Sequence, residues 1–236
     1  MPEWLTPSHF TMVALLGSFA IAHSGLAALR PWAEQLIGAR LYRVVFALVS
    51  LPLATILIIY FFNHRYDGAQ LWQFQDVPGL TQLVWILSAV SFLFLYPATF
   101  NLLEIAAIQK PTVHLYETGI IRITRHPQMV GQIIWCIAHS LWLGTSFMLV
   151  TSLGLIAHHL FGVWHGDRRL AARYGEAFAA VKARTSVIPF LAIWQGKQKL
   201  EIREFLRPAY GGVALFVLIF WWLHPILIDA TSRIAW

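Results

Sequence analysis

Apolar residues run along this chain in blocks too long for one buried face of a soluble helix. Six can be drawn, at about 10–28, 41–62, 80–107, 128–144, 146–164 and 209–229. A helix needs roughly 20 apolar residues to cross a bilayer. The pattern therefore predicts an all-α fold: a polytopic membrane helix bundle of about six spans, forming a single membrane-embedded domain over 1–236. The third block is long enough to tilt, or to break at Pro97 inside it. The fourth and fifth are separated only by Gly144-Thr145-Ser146, the tight link of a helical hairpin. The one sizeable polar stretch covers 165–208. Within it, Leu170, Tyr174, Phe178 and Val181 recur at helical spacing among basic residues, which predicts an amphipathic interfacial helix over about 167–185.

Charge sharpens this division. If six spans alternate direction, one side carries fifteen of the 17 basic residues, from Arg30, Arg40 and Arg43 through Lys110, Arg122 and Arg125 to Arg207, and the other side carries only Arg65 and Arg233. Such a split follows the positive-inside bias and predicts that both termini lie away from the cytoplasm or stroma. Composition agrees: 58% of residues are hydrophobic and 12% charged, against about 25% charged in soluble domains. The net charge of +6 reads as a skirt for anionic headgroups; no aromatic-basic stripe of a nucleic-acid surface stands outside the spans. Trp4, Trp221, Trp222 and Trp236 suit interfacial anchoring. The opening MPEWLTPSHF lacks an Arg/Ser-rich leader, which fits a bacterial chain or a mature organellar one.

Histidine is the unexpected element inside these blocks. His23, His139, His158, His159 and His224 all fall at membrane depth, where an ionisable group is expensive and by default faces a working interior. Cys136 and His139 are three apart on one predicted helix, with Gln132 and Gln128 continuing the polar line. A thiol and an imidazole so placed can compete for one metal; a packed core cysteine beside a hydrogen-bonded histidine is the alternative. His23, among Ala22, Ser24, Gly25 and Ala27, allows close approach of a helix or a flat cofactor. It lies seven residues from Arg30, while His139 lies fourteen from Arg125, so the two imidazoles are expected at loosely similar depth. Two histidines converging from different helices suit the axial positions of a haem. Zinc held by His126, His158, His159 and His165 is disfavoured, because no HExxH or CxxC is present. His158 and His159 point about 100° apart, so at most one is expected at any one site, in a supporting or substrate-side role with Gln132. His224, near the end of the last span, ranks lowest. Arg122, Arg125 and His126, just before Pro127, could hold an anionic group such as a propionate or a phosphate, or could simply anchor the helix end.

Four blocks carry a wider likeness. AHSGLAALRPW, GIIRITRHPQMVGQIIWCIAHSLW, GLIAHHLFGVWHGDRRLAARYGEAF and KARTSVIPFLAIWQGKQKL resemble the 15-cis-zeta-carotene isomerases of cyanobacteria and plants, within the wider NnrU-type membrane proteins, over nearly the full chain. The resemblance implies carotenoid biosynthesis: cis-to-trans isomerisation of the central 15-cis double bond of 9,15,9′-tri-cis-zeta-carotene to 9,9′-di-cis-zeta-carotene. It implies haem b as cofactor, active when ferrous, held by His23 and His139, with Cys136 exchanging as an axial ligand on redox change. It also implies a lipid-embedded protein of a cyanobacterial plasma or thylakoid membrane, or of a plastid membrane, working beside neighbouring pathway enzymes and an electron donor that the residues do not identify.

Two other classes remain open on the residues. The RHP block and the helix after it also resemble isoprenylcysteine carboxyl methyltransferases, which use S-adenosylmethionine. That pattern has an aromatic where Met129 stands and a glutamate pair where Gly166-Asp167 stands, so groups that hold the cofactor are missing. A non-catalytic membrane haem sensor would need only the histidine pair.

Overall fold

The computed structural model describes residues 4–96, 115 and 117–232, and the described residues are overwhelmingly helical. The part of the third predicted span from 97 to 107, with Pro97 and Glu104, lies outside the described residues, as do Lys110, Arg233 and Trp236. Among the described residues six helices form the frame: α1 Pro7–His64, α2 Leu80–Leu95, α3 Pro127–Leu143, α4 Ser146–Tyr174, α5 Glu176–Arg184 and α6 Pro208–Ser232. Single turns at Ile120–Ile123, Leu191–Trp194 and Ile202–Phe205 join them. Among the described residues the only β pairing is an isolated bridge between Gln70 and Thr145. Three helices among the described residues are long and apolar enough to cross a membrane: Pro7–His64, Ser146–Tyr174 and Pro208–Ala230. Leu80–Leu95 is a shorter apolar helix.

The first two predicted blocks form α1, 58 residues long and interrupted only at Gly38, whose φ of +79° is left-handed. The chain reverses there. Met12 and Leu16 share a core cluster with Tyr60 and Phe61; His23 bonds Ser50 at 3.3 Å; the Tyr42 hydroxyl donates to the Leu26 carbonyl. Partners that converge toward Gly38 from both sides describe two antiparallel arms. At the open end, the Thr6 N–H donates to His9 Nδ1 at 3.0 Å, and His9 Nε2 meets the Ser146 hydroxyl at 3.1 Å, tying the start of α1 to the start of α4.

Pro127 opens α3, where a missing N–H costs nothing. Gly144, with φ of +63°, closes it. The carbonyls this helix end leaves unpaired are taken up by the preceding loop: the Leu71 N–H donates to Gly144 O at 2.7 Å, Gln70 Nε2 to Leu143 O at 2.9 Å, and Trp72 Nε1 to Ser140 O at 2.9 Å. The Thr145 side chain then caps α4 by accepting from the Met148 N–H at 3.1 Å. The predicted hairpin at 144–146 is therefore present. Gly131 sets the closest helix packing: a Cβ there would lie 2.7 Å from Ser91 O and 2.9 Å from Leu95 N, so α2 and α3 approach backbone to backbone.

The expected interfacial helix over 167–185 is not one helix. Its first part continues α4 as far as Tyr174; Gly175, at φ +49°, breaks the axis, and α5 follows. The apolar positions still point one way, but Phe178 and Val181 are buried in the protein rather than laid on lipid. The basic residues do gather at one end, where Arg30 lies near Arg169 and Arg173, Arg125 and Lys182 share Asp167, and Arg122 and Arg184 pair with Glu204 and Glu117. Arg65 sits at the opposite end with Tyr66. Leu48, Leu51, Leu153, Leu218 and Trp222 are well exposed along the helices, a distribution that suits lipid rather than water.

Candidate functional site

Intramembrane histidines line three cavities among the described residues; a groove of about 610 Å³ between the first arm of α1 and α4 has His158 in its wall, and the other two hold the rest. The first, about 470 Å³, lies between the second arm of α1 and helices α2, α3 and α6. Phe62, Trp85, Trp135, Trp142 and Phe220 make its walls, and His139 and His224 contribute imidazoles. His139 stacks on Trp135 with ring centroids 3.8 Å apart, and its Nδ1 lies 2.9 Å from the Trp135 carbonyl. A carbonyl can only accept, so Nδ1 must carry the hydrogen and Nε2 keeps its lone pair. The i to i−4 spacing on α3 makes this self-supporting: one turn of helix supplies both the stacking face and the acceptor. His224 packs edge-on to Trp85 at 5.3 Å.

The second cavity, about 390 Å³, lies toward the basic end, between the first arm of α1, α4 and the start of α3. It is lined by His23, Arg125, His126, Gln128, His158, His159 and Arg169, among others. His23 stacks on Phe19 at 5.0 Å and faces His158 at 5.9 Å. His159 repeats the His139 arrangement, with Nδ1 3.0 Å from the Leu155 carbonyl. His126 Nε2 and Arg125 Nη2 converge on Asp167 at 2.9 and 3.2 Å.

The expected site residues therefore divide. His139 is in the aromatic cavity; His23, Arg125, His126, His158 and His159 line the polar one. His158 and His159 both line the polar cavity, and His158 also lines the groove beside α1; their rings meet at 90° with centroids 5.6 Å apart, in keeping with directions that diverge on the helix. Cys136 lines neither. It is buried against α4, with Sγ 3.5 Å from Gln132 Nε2 and 3.9 Å from the Ser152 carbonyl. A three-residue step turns a helix by about 60°, enough to send Cys136 and His139 to different neighbours. Arg122 faces neither cavity: its guanidinium grips Glu204 through two bonds of 2.8 Å and reaches Gln198 at 2.7 Å. That hydrogen bonding holds the Glu204 carboxyl down to about 2. Arg122 is thus a clamp on the loop before α6.

The expectation of matched depth is also corrected. His139 lies four residues, roughly 6 Å, from the Leu143 end of α3, whereas His23 lies fourteen residues, roughly 21 Å, from His9 at that same end. The two histidines therefore line separate cavities, roughly 15 Å apart in depth along the helices. Among the described residues no group of three or more His, Cys, Asp or Glu side chains is disposed to hold a bare metal ion. Each candidate histidine does carry the one feature ligation needs: Nε2 of His139 is free, and Nε2 of His23 is left open by the Ser50 contact at Nδ1.

Sequence reasoning ranked His224 last, yet it shares the aromatic cavity with His139. The usable signal was Trp135 four residues before His139 and Phe220 four before His224, two ring-on-ring steps. Asp167, which the sequence marks only as a departure from the methyltransferase pattern, is the acid around which Arg125, His126 and Lys182 are organised.

The described residues form a helical protein with three helices long and apolar enough to cross a membrane and with histidines lining the cavities between them. Residues 11–232 match the family described as NnrU protein, and the chain belongs to that family. It is 58% identical over 228 residues to the 15-cis-zeta-carotene isomerase, chloroplastic, of Arabidopsis thaliana, covering 95% of this chain and 62% of the relative. It is 53% identical over 236 residues to the protein of the same name from Zea mays, covering 98% of this chain and 64% of that one. The chain thus spans a little under two thirds of the length of these relatives. No solved structure matches it.

Proposed function

We propose that this protein isomerises the central 15-cis double bond of 9,15,9′-tri-cis-zeta-carotene, giving the 9,9′-di-cis form, in carotenoid biosynthesis. The observation that carries the reading is the aromatic cavity: a largely apolar, Trp- and Phe-walled space within the helices that His139 and His224 line, the His139 ring fixed by its Nδ1 bond to the Trp135 carbonyl. A conjugated polyene is flat, apolar and polarisable, and stacked aromatic walls hold such a group through offset and edge contacts. The high identity to two relatives that bear the isomerase name supports the substrate class.

The residues' share of the work is positioning. Trp85, Trp135 and Phe220 would clamp the central segment, keep water out and leave its two halves free to turn relative to one another. Haem b is part of the proposal as cofactor, with His23, His139 and Cys136 as its candidate ligands; holding it between both histidines requires α1 to re-pack against α3. The spanning arrangement belongs here too. The two arms of α1 with α2, α3, α4 and α6 would make about six passes, multi-pass in a plastid membrane or a cyanobacterial plasma or thylakoid membrane.

The test is carotenoid chromatography in cells that accumulate the tri-cis substrate, kept in the dark because light isomerises the same bond. Conversion to the di-cis product is expected on expression of this chain. An unchanged isomer ratio with the protein present in the membrane would overturn the proposal. A b-type haemochrome spectrum of the purified protein, lost in His139→Ala or His23→Ala, tests the cofactor separately.

A further inference from the structure

The loop that leads into α6 turns apolar side chains outward. Ala192 is buried, and Val187 and Ile193 pack on the core cluster around Ile120 and Val130, whereas Ile188, Phe190 and Trp194 are 62%, 51% and 86% exposed. Leu200, Ile202 and Leu206 follow, also exposed. Fraying does not explain this. The Arg125 N–H donates to Ser186 O at 2.7 Å, the Thr124 hydroxyl to Val187 O at 2.8 Å, and the Phe190 N–H to Ile123 O at 2.9 Å, so the backbone is fixed against the turn that precedes α3. Phe190 has a φ of +62°, a left-handed conformation that a bulky residue adopts only under strain, and Trp194 stands one helical turn after it. Single exposed apolar residues are ordinary on any protein surface; a cluster of them held outward by a fixed backbone marks a contact surface.

Cations stand among these residues. Lys197, Lys199, Arg203 and Arg207 are exposed, and of the acids beside them Glu201 is exposed while Glu204 is held by Arg122. We infer that the loop over 188–207 is an interfacial anchor lying in the headgroup region of the bilayer, with Phe190 and Trp194 reaching the acyl boundary and the four cations facing anionic lipid headgroups. Its place in the fold commits it to lipid. The loop bonds to the residues just before Pro127, where α3 begins, and runs straight into Pro208, where α6 begins, so it sits level with two helix ends. Beyond it, Leu215, Leu218, Ile219, Trp221 and Trp222 of α6 are exposed along a helix of membrane-crossing length, and the loop continues that apolar surface to its edge. Aromatic rings beside Lys and Arg at a helix end are the composition of a membrane–water interface, and the charge has the sign that anionic headgroups attract. This loop takes the role that the apolar period over 167–185 suggested for α5, whose Phe178 and Val181 turn inward. Neither the aromatic nor the polar cavity is involved, so the inference stands apart from the isomerase reading.

The test places a thiol-reactive fluorophore on Trp194→Cys and, as a reference, on Glu176→Cys, which is exposed at the start of α5. Cys136 is buried, and the wild-type chain reports any labelling there. Each protein is reconstituted into nanodiscs of phosphatidylcholine with or without phosphatidylglycerol. Quenching is read with a lipid nitroxide placed near the headgroup and with acrylamide, a neutral aqueous quencher. The probe at 194 is expected to be quenched severalfold more by the lipid nitroxide, and severalfold less by acrylamide, than the probe at 176. Phosphatidylglycerol should strengthen the lipid quenching at 194, and this response should be lost when Lys197, Lys199, Arg203 and Arg207 are all replaced by Gln. Acrylamide quenching equal at the two positions would put the loop in water and overturn the anchor. Shielding of 194 from both quenchers would overturn it as well, because protein rather than lipid would then cover the patch. Lipid quenching that ignores phosphatidylglycerol, or responds to it equally in the Gln variant, overturns the recognition of anionic headgroups.

Discussion

The aromatic and the polar cavity both draw on α1 and α3 and present different walls. The aromatic one has Trp and Phe walls, and its imidazole His139 is locked by its own helix turn. The polar one is ringed by Arg125, His126 and Arg169, and its imidazoles are held in two ways: His159 by its own helix turn, as His139 is, but His23 by Ser50 and Phe46 of the other arm of α1 and His126 by Asp167 of α4. A histidine oriented from within one helix keeps its aim when helices shift; one oriented between helices does not. The cavities therefore differ chiefly in their walls, mostly aromatic in one and largely polar in the other.

That contrast can be broken in four ways. The largest effect is expected at His139: His139→Ala should lower dark isomerisation on the order of 100-fold, the low end of what a positioned catalytic imidazole contributes. Arg169→Gln, at the other cavity, should leave turnover near that of the wild type; equal losses in the product assay would erase the distinction. Next is the wall shared by α2 and α3. Gly131→Val forces a side chain against Ser91 O and the Leu95 backbone and should cost about 2 kcal/mol of stability, seen as a lower melting temperature.

Third, Trp85→Leu should weaken carotenoid retention by the purified protein by roughly 1 kcal/mol, about fivefold, because a stacking face is lost while apolar volume is kept. Retention unchanged in this variant would place the polyene elsewhere. The smallest effect is at the clamp of the basic end. Arg122 depresses the Glu204 carboxyl from an ordinary 4.5 to about 2. A carboxyl lowered on folding contributes stability above its unfolded value, and that contribution is lost as pH falls through 4.5 toward 2. Melting temperature should therefore drop between pH 5 and pH 2.5 in the wild type and fall less steeply in Glu204→Gln. The aromatic cavity, which Glu204 does not touch, should retain carotenoid across the same range while the fold persists.

Much of the fold was readable in one dimension. Apolar block length announced the helices, Gly144-Thr145-Ser146 the hairpin, and Pro127 the start of α3, because each depends on local hydrogen bonding and solvation. Gly38 was harder to read. The gap between the blocks ending at 28 and starting at 41 brackets the reversal, but nothing in the apolar pattern marks which residue there, the left-handed Gly38, turns 58 helical residues into two arms. Gly175 was missed for the same reason: the period of Leu170, Tyr174, Phe178 and Val181 continues through the break, and the residues stay apolar on either side of it.

At the site the division is sharper. That His139, His23, His158 and His159 would face an interior followed from the cost of an imidazole among apolar side chains, a property of each residue alone. Which of them share a cavity did not follow. Cys136 and His139, three apart in sequence, part company because about 60° of helical rotation gives one of them Ser152 and the other Trp135. His224, remote in sequence, joins His139 because α6 packs beside α2. Sequence alone determined that the chain makes apolar helices with a basic end and buried histidines, since length, hydropathy and charge are additive along a chain. Only the tertiary structure decided that the histidines form one aromatic and one polar cavity, since that depends on rotation and depth of each helix against its neighbours.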